Sequence, residues 1–450
     1  MEFIDSTALS TALPTLSRAF HTDPLHLKLA LTSYIVALAV FAPASGWVAD
    51  RFGPKRVFMS AMAVFLVGSM LCGLSRSLGQ LVACRLVQGL GGAMMTPVAR
   101  LIIVSTTPRH QLVSAMAWFT MPALVGPLLG PPLAGLLLGV ADWPWIFYVN
   151  VPVCLVGLAA IARLVPSTRP PHPGPFDVLG FVYAAVAISA LVGATETFGV
   201  DVAPRGLQLA ALGLVPLAAA AYLRHARRTA KPVLDLSLFR VPTFRASLTG
   251  GTIVRLGIGA SPLLLPLLLQ VALGWTPLKA GLVSIWQSVG ALSAKPATPS
   301  LLRRYGFRTV LIATVIGAGV LTALPGFFRA GMPVAGLIAL FVVAGFTRSN
   351  QITTMNAVAY ADVPADQISA ASTLATVTQQ VGLSLGISFG GTILHLTKGA
   401  GDALTPERFV APYLAIGAVT LLALPVYWRL PASAGASLRG EARGAKPARG

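Results

Sequence analysis

The residues of this chain able to do chemistry are ionisable groups set inside long apolar runs. Asp5 lies in FIDSTALSTALP, from Phe3 to Pro14. A carboxylate within hydrocarbon costs about 2.5–3.5 kcal/mol on insertion scales, so it normally faces a cavity and handles an ion, a proton first of all. The other reading leaves Asp5 near the headgroups as a helix cap, because its apolar run begins only at Met1. Arg85 opens a second such run, RLVQGLGGAMMTP to Pro97, whose glycines let a neighbouring backbone approach. Arg255, Lys295 and Arg348 are three further cations in apolar surroundings, opposed within the runs only by Asp5, Asp177 and Glu196. A buried cation short of acids needs an anion, a backbone carbonyl or water. One reading is a ligand that brings its own negative charge, such as a carboxylated metabolite or its metal complex. The other is that these side chains snorkel, which suits Lys295 near a helix end. Gln270, Gln287, Asn350, Gln351, Asn356, Gln379 and Gln380 either line the same cavity or cross-link helices.

Other chemistries have no footing. Cys72, Cys84 and Cys154 show neither disulfide nor ligand spacing, and the histidines form no metal-binding pattern. Catalytic triads, P-loops and phosphate-cradling glycine loops are absent, so neither an enzyme, a cofactor, a metal nor ATP-driven work is expected. The net charge of +19 sits in short loops without interleaved aromatics, which argues against nucleic acid.

The elements that must position these groups are membrane helices. The chain is 55% hydrophobic and 10% charged with mean hydropathy +0.77, and its apolar runs repeat at about 20 residues, enough to cross about 30 Å of hydrocarbon. Fourteen spans are predicted, near 1–17, 28–49, 57–75, 80–105, 112–139, 145–164, 176–198, 206–223, 244–271, 278–299, 308–328, 333–359, 365–396 and 409–429. The first is short and opens at Met1-Glu2, which reads as either a late start or a truncated helix, the late start being the expectation. Arg51, Lys55, Arg56, Arg109, Arg163, Arg227, Arg228, Arg303, Arg304 and the tail cations fall on one side under alternating spans, while Arg18, Lys28 and Arg76 fall in the sparser opposite loops. The positive-inside rule then puts both termini in the cytoplasm.

Between spans two and three stands GWVADRFGPKR, Gly46 to Arg56, and a blurred copy, LLRRYGFRTVL, follows span ten with Gly306 in the place of Gly53. Gly46 permits close packing, Gly53 the reversal, and Arg51, Lys55 and Arg56 hold the cytoplasmic side. The copies are eight spans apart, so two related six-span halves must be separated by two inserted spans, 176–223. The expected domains are 1–165, an N-terminal six-helix bundle; 166–240, the inserted spans with basic linkers; 241–430, a C-terminal six-helix bundle; and 431–450, a disordered basic tail.

These loops, with FIDSTALSTALP, RLVQGLGGAMMTP, GPLLGPPLAG (Gly126–Gly135) and WPWIFYVNVP (Trp143–Pro152), resemble the major facilitator superfamily. The likeness covers nearly the whole chain and is strongest to the fourteen-span drug/proton antiporters, the QacA/EmrB-like branch with its MdtD-like group. The resemblance implies an all-α polytopic fold of two six-helix bundles plus two inserted spans. It also implies a proton-coupled exporter of small molecules working by alternating access, a monomer in the bacterial inner membrane whose partners are substrate, protons and lipid. On this resemblance Asp5 carries the proton and Arg85 modulates it. Asp50 latches a cytoplasmic gate with Gly46, Arg51, Gly53, Lys55 and Arg56, although Pro54 stands where a basic residue is usual. Gly126, Pro127, Gly130, Pro131 and Gly135 form the kinked antiporter motif. The rival expectation is export of a small organic anion, with Arg255, Lys295, Arg348, Gln270 and Asn356 around the substrate cavity.

Overall fold

A glycine with a left-handed backbone lets an apolar chain turn back at a membrane surface, and this chain uses one in each copy of the charged loop. Gly53 has φ 89° and Gly306 φ 75°, a region closed to side chains by steric clash with the backbone. Pro54 follows at the first position of its helix, where its missing N–H costs nothing.

The computed structural model of the 450-residue chain describes residues 2–106, 126, 130–166, 175–197, 205–229, 232–364, 367–398 and 404–431. The first half comprises α1 (Glu2–Ala19), α2 (Lys28–Phe41), α3 (Ser45–Phe52), α4 (Pro54–Gly73), α5 (Leu78–Thr106), α6 (Gly130–Val140), α7 (Trp145–Tyr148) and α8 (Asn150–Leu164). The inserted pair is α9 (Val178–Thr197) and α10 (Arg205–Ala226). The second half runs through α11 (Pro242–Pro266), a π-helical turn (Leu267–Ala272), α12 (Pro277–Ala323), α13 (Val334–Tyr360), α14 (Ile368–Lys398), α15 (Val410–Leu421) and α16 (Leu424–Trp428).

Ten of the described helices are long and apolar enough to cross a membrane. One of them, Pro277–Phe327, has 51 residues; straight, it would reach about 75 Å, more than twice the hydrocarbon thickness. It breaks at Gly306, and both arms line one cavity, so the chain doubles back there. With α2–α3, α7–α8 and α15–α16 each joined into one span, the described elements are consistent with the fourteen-span order; of the fifth span, 112–139, α6 is described and most of the rest lies outside the described residues. The protein is thus an all-α polytopic membrane protein of two six-helix bundles and an inserted pair. Exposed leucines such as Leu207, Leu209 and Leu217 on α10 suit a lipid-facing surface.

The inserted hairpin packs beside α2 and α14, where Ala184, Ile188 and Tyr222 join Ala39, Phe244, Leu374 and Val377 in one apolar cluster. Its linker is tied down: the Tyr222 hydroxyl donates to the Leu234 carbonyl at 2.6 Å and accepts from the Leu234 amide at 2.8 Å. At the membrane edge Asp177 caps α9, accepting from the Gly180 amide at 2.9 Å and facing His225 Nε2 at 2.5 Å. Its other oxygen accepts from the Val233 amide at 3.2 Å.

The halves meet closely at the end of the molecule opposite the charged loops. Gln270 Nε2 donates to the Thr11 carbonyl at 2.8 Å. A Cβ on Gly281 would stand 2.5 Å from the Pro131 carbonyl oxygen, and one on Gly135 2.8 Å from Leu278 Cα, so α6 and α12 touch backbone to backbone. Lys28, expected as a loop-side charge at the start of the second span, does open α2 but is only 1% exposed. It lies against Gly391 of α14, because its four-carbon stem is apolar enough to fill the contact between the halves.

Candidate functional site

Five helices of the first half converge on Asp5. The α4–α5 and α2–α5 pairs approach through small residues, with Gly68 against the Gln88 backbone and Gly89 against Ala37 and the Tyr34 carbonyl. That closeness seals the centre of the bundle. Asp5 and Arg85 are each 1% exposed.

Within this core the Asp5 carboxylate is fully engaged. Arg85 Nη1 donates to its Oδ2. Its Oδ1 accepts from Gln88 Nε2 and from Asn150 Nδ2, both at 2.9 Å. Arg85 is held in turn: Nη1 donates to Gln88 Oε1 at 2.6 Å, Nε to the Ala30 carbonyl at 3.2 Å, and its guanidinium lies 4.2 Å from the Tyr34 ring centroid. Asn150 reaches Ser69 Oγ at 3.0 Å, and Ser69 donates to the Phe147 carbonyl at 3.0 Å. Arg85 and Gln88 are three residues apart, hence on one helix face.

Chemically, the arrangement can act as a charge-sensitive lock. Three donors aim at a carboxylate that only accepts when ionised. A proton on Asp5 removes the negative charge and turns one acceptor into a donor. Arg85 then faces a buried site without its counter-charge, which is costly, so helices α1, α4, α5 and α8 have reason to rearrange. Sequence reasoning singled out Asp5 and Arg85 but not Gln88, Asn150 or Ser69. The available signals were Gln88 one turn from Arg85 in RLVQGLGG and an asparagine opening an otherwise apolar helix.

The other expected site residues are dispersed. Asp50 is exposed and has no ion-pair partner among the described residues, while Lys55 Nζ donates to the Ala162 carbonyl at 2.9 Å, closing the C-terminal end of α8. Arg51 and Arg56 are exposed and Gly46 has open space around it. Of the GPLLGPPLAG stretch, Gly126 is buried, Gly130 packs on Thr7, Pro131 and Gly135 meet α12, and Pro127 lies outside the described residues. Among the cavity candidates, Arg255 and Asn356 come together with Gln379, with Arg255 Nη2 at 3.5 Å from Asn356 Oδ1 and 3.3 Å from Gln379 Oε1. This cluster joins α11, α13 and α14, and α11 and α14 are the helices that face α1 and α2 of the other half. Lys295 instead donates to Thr353 Oγ1 at 3.0 Å, Gln270 binds α1, and Arg348 lines a separate cavity inside the second half.

Known proteins carry the same plan. The family model described as Major Facilitator Superfamily matches residues 1–231 and 247–449. A protein named for multidrug resistance, MdtD of Klebsiella pneumoniae, is 36% identical over 448 residues, covering 97% of this chain and 93% of its own. Its namesake in Pectobacterium atrosepticum is 35% identical over 439 residues, covering 96% and 93%. Among solved structures, a D-xylose-proton symporter superposes with TM-score 0.66 at 16% identity, covering 96% of this chain and 95% of its own. The nucleoside transporter NupG superposes with TM-score 0.64 at 12% identity, covering 95% and 96%. At such identities the superpositions speak for the fold alone.

Proposed function

Because the chain belongs to the major facilitator superfamily, and is therefore a membrane transporter and not an enzyme, we propose that it exports small molecules in exchange for protons. The observation that carries the coupling is the buried carboxylate of Asp5 held by Arg85, Gln88 and Asn150. The names of its relatives support substrates of the multidrug class. Substrate binds where the halves, 1–165 and 241–430, face each other, and rocking of one half against the other alternates access. The segment 166–240 rides beside α2 and α14. The protein works as a monomer in the bacterial inner membrane with both termini, including the tail 431–450, in the cytoplasm.

Energetics permit this. One proton moving inward supplies about 2.3 kcal/mol per 100 mV and about 1.4 kcal/mol per pH unit. At about 1.4 kcal/mol per decade, one proton sustains a roughly hundred- to thousand-fold substrate gradient. The cytoplasmic gate belongs to a conformation in which Asp50 meets a partner, while Lys55 of α4, bonded to the Ala162 carbonyl of α8, anchors the loop in this one. Proteoliposomes with an imposed pH gradient and a lipophilic cationic dye test the proposal. Dye accumulation must follow the gradient in the wild type and vanish in Asp5→Asn; accumulation that ignores the gradient would sink it.

A second reading has its own observation. Arg255 is buried, and among the described residues its hydrogen-bond partners are the neutral amides Asn356 and Gln379, so a carboxylate substrate would find a cation on the helices that face the other half. Loss of citrate-like acid transport in Arg255→Gln, with dye transport spared, would favour anion export.

A further inference from the structure

Lined wholly by residues of the second half is a cavity of about 60 Å³. It is built from α11, both arms of α12, α13 and α15, with Gln287, Arg348, Gln351 and Tyr413 on its lining. Gly345 packs onto the Gln287 backbone, which brings α12 and α13 close enough for both to reach the same space. Arg348 makes no hydrogen bond or ion pair with a described residue. Gln351 is fully buried with neither amide oxygen nor nitrogen bonded, and the Tyr413 hydroxyl, in a side chain 3% exposed, also lacks a partner among the described residues. No carboxylate stands on the described lining.

We propose that this cavity is a resident binding site for a small monovalent anion of halide type. Arg348 supplies a positive charge and up to five N–H donors, Gln351 an amide donor pair, and Tyr413 an O–H. A cation among apolar helices needs a counter-charge, and buried donors left unmade cost more than those satisfied. The dimensions choose the ligand. The space holds roughly four waters, enough for a chloride with a water or two, whereas drug-sized molecules need about 300 Å³ or more. Every lining element belongs to one half, so rocking of the halves carries the site along unopened. The bound anion neutralises Arg348 and braces the second half, and is not cargo.

The test is a chloride titration of the purified full-length protein in detergent, at constant ionic strength against gluconate, reading thermal stability. The wild type is expected to gain stability saturably with chloride and with bromide, and Arg348→Gln to lose that dependence. Tyr413→Phe deletes a hydroxyl with no partner among the described residues, so it folds normally and isolates the ligand contact. It should weaken the apparent chloride affinity at least about tenfold, the worth of one hydrogen bond to a charge. A wild type indifferent to chloride, meaning that the cavity holds water only, overturns the site. So does a chloride affinity unchanged in either variant. The readout is binding, so the result is independent of whether the protein exports anything.

Discussion

Replacing Asp5 by Asn keeps the shape of the side chain and removes its charge, leaving Arg85 as a buried cation without a counter-charge. Breaking a buried pair from one side costs about 3–5 kcal/mol. Arg85 retains the Ala30 carbonyl, Gln88 Oε1 and the Tyr34 ring, and the introduced amide still offers one accepting oxygen. The loss therefore belongs near the lower end, about 3 kcal/mol. Removing the orphaned charge as well, in Asp5→Asn/Arg85→Gln, should restore stability, because contacting residues couple by about 0.5–3 kcal/mol. A return of about 2 kcal/mol is expected on that scale. Denaturant unfolding of the four proteins in one detergent measures the cycle. If Asp5→Asn matches the wild type, or if the two single losses merely add, the lock described around Asp5 does not exist.

Other consequences follow from particular contacts. Gly281→Val places branched carbons where the Pro131 carbonyl already stands 2.5 Å from a Cβ position. It should separate α6 from α12 and abolish transport while leaving the protein folded, as cysteine cross-linking across that contact would report. The inserted hairpin gives a pH expectation. Burial pushes the Asp177 carboxyl up, but the Gly180 amide, His225 and the Val233 amide outweigh it and hold the group below the usual carboxylate range. A lowered folded pKa stabilises above the unfolded value and is lost as pH falls through the folded one. The linker contact therefore persists through neutral pH and fails only in stronger acid. Asp177→Asn should mimic that failure at neutral pH, seen as faster tryptic cleavage at the exposed Arg227 and Arg228.

Much of the architecture was legible because bilayer thickness limits each span and charged loops punctuate them. Gly53 and Gly306 stand at corresponding turns, and their eight-span offset alone required an inserted pair. Asp5 and Arg85 were visible because a charge in an apolar run is conspicuous. Their partners were not: Gln88 and Asn150 are neutral amides, and such residues cross-link membrane helices without further purpose. Asn150 was further hidden in a segment whose tryptophans read as an interfacial belt. Lys28, at the start of its span, was counted among the loop charges, yet helix packing buries its stem. Arg255 and Arg348 were grouped as one cavity because helices apolar all round carry no face preference in their pattern. Their surroundings separate them: Arg255 meets Asn356 and Gln379, whereas Arg348 lines the second-half cavity.

The central claim is that Asp5 gives up a proton when cargo binds. Adding substrate to the purified transporter in weakly buffered solution with a pH-indicating dye measures this directly. The account predicts release of up to one proton per protein from the wild type and none from Asp5→Asn that still binds the substrate. Equal release from both would contradict it.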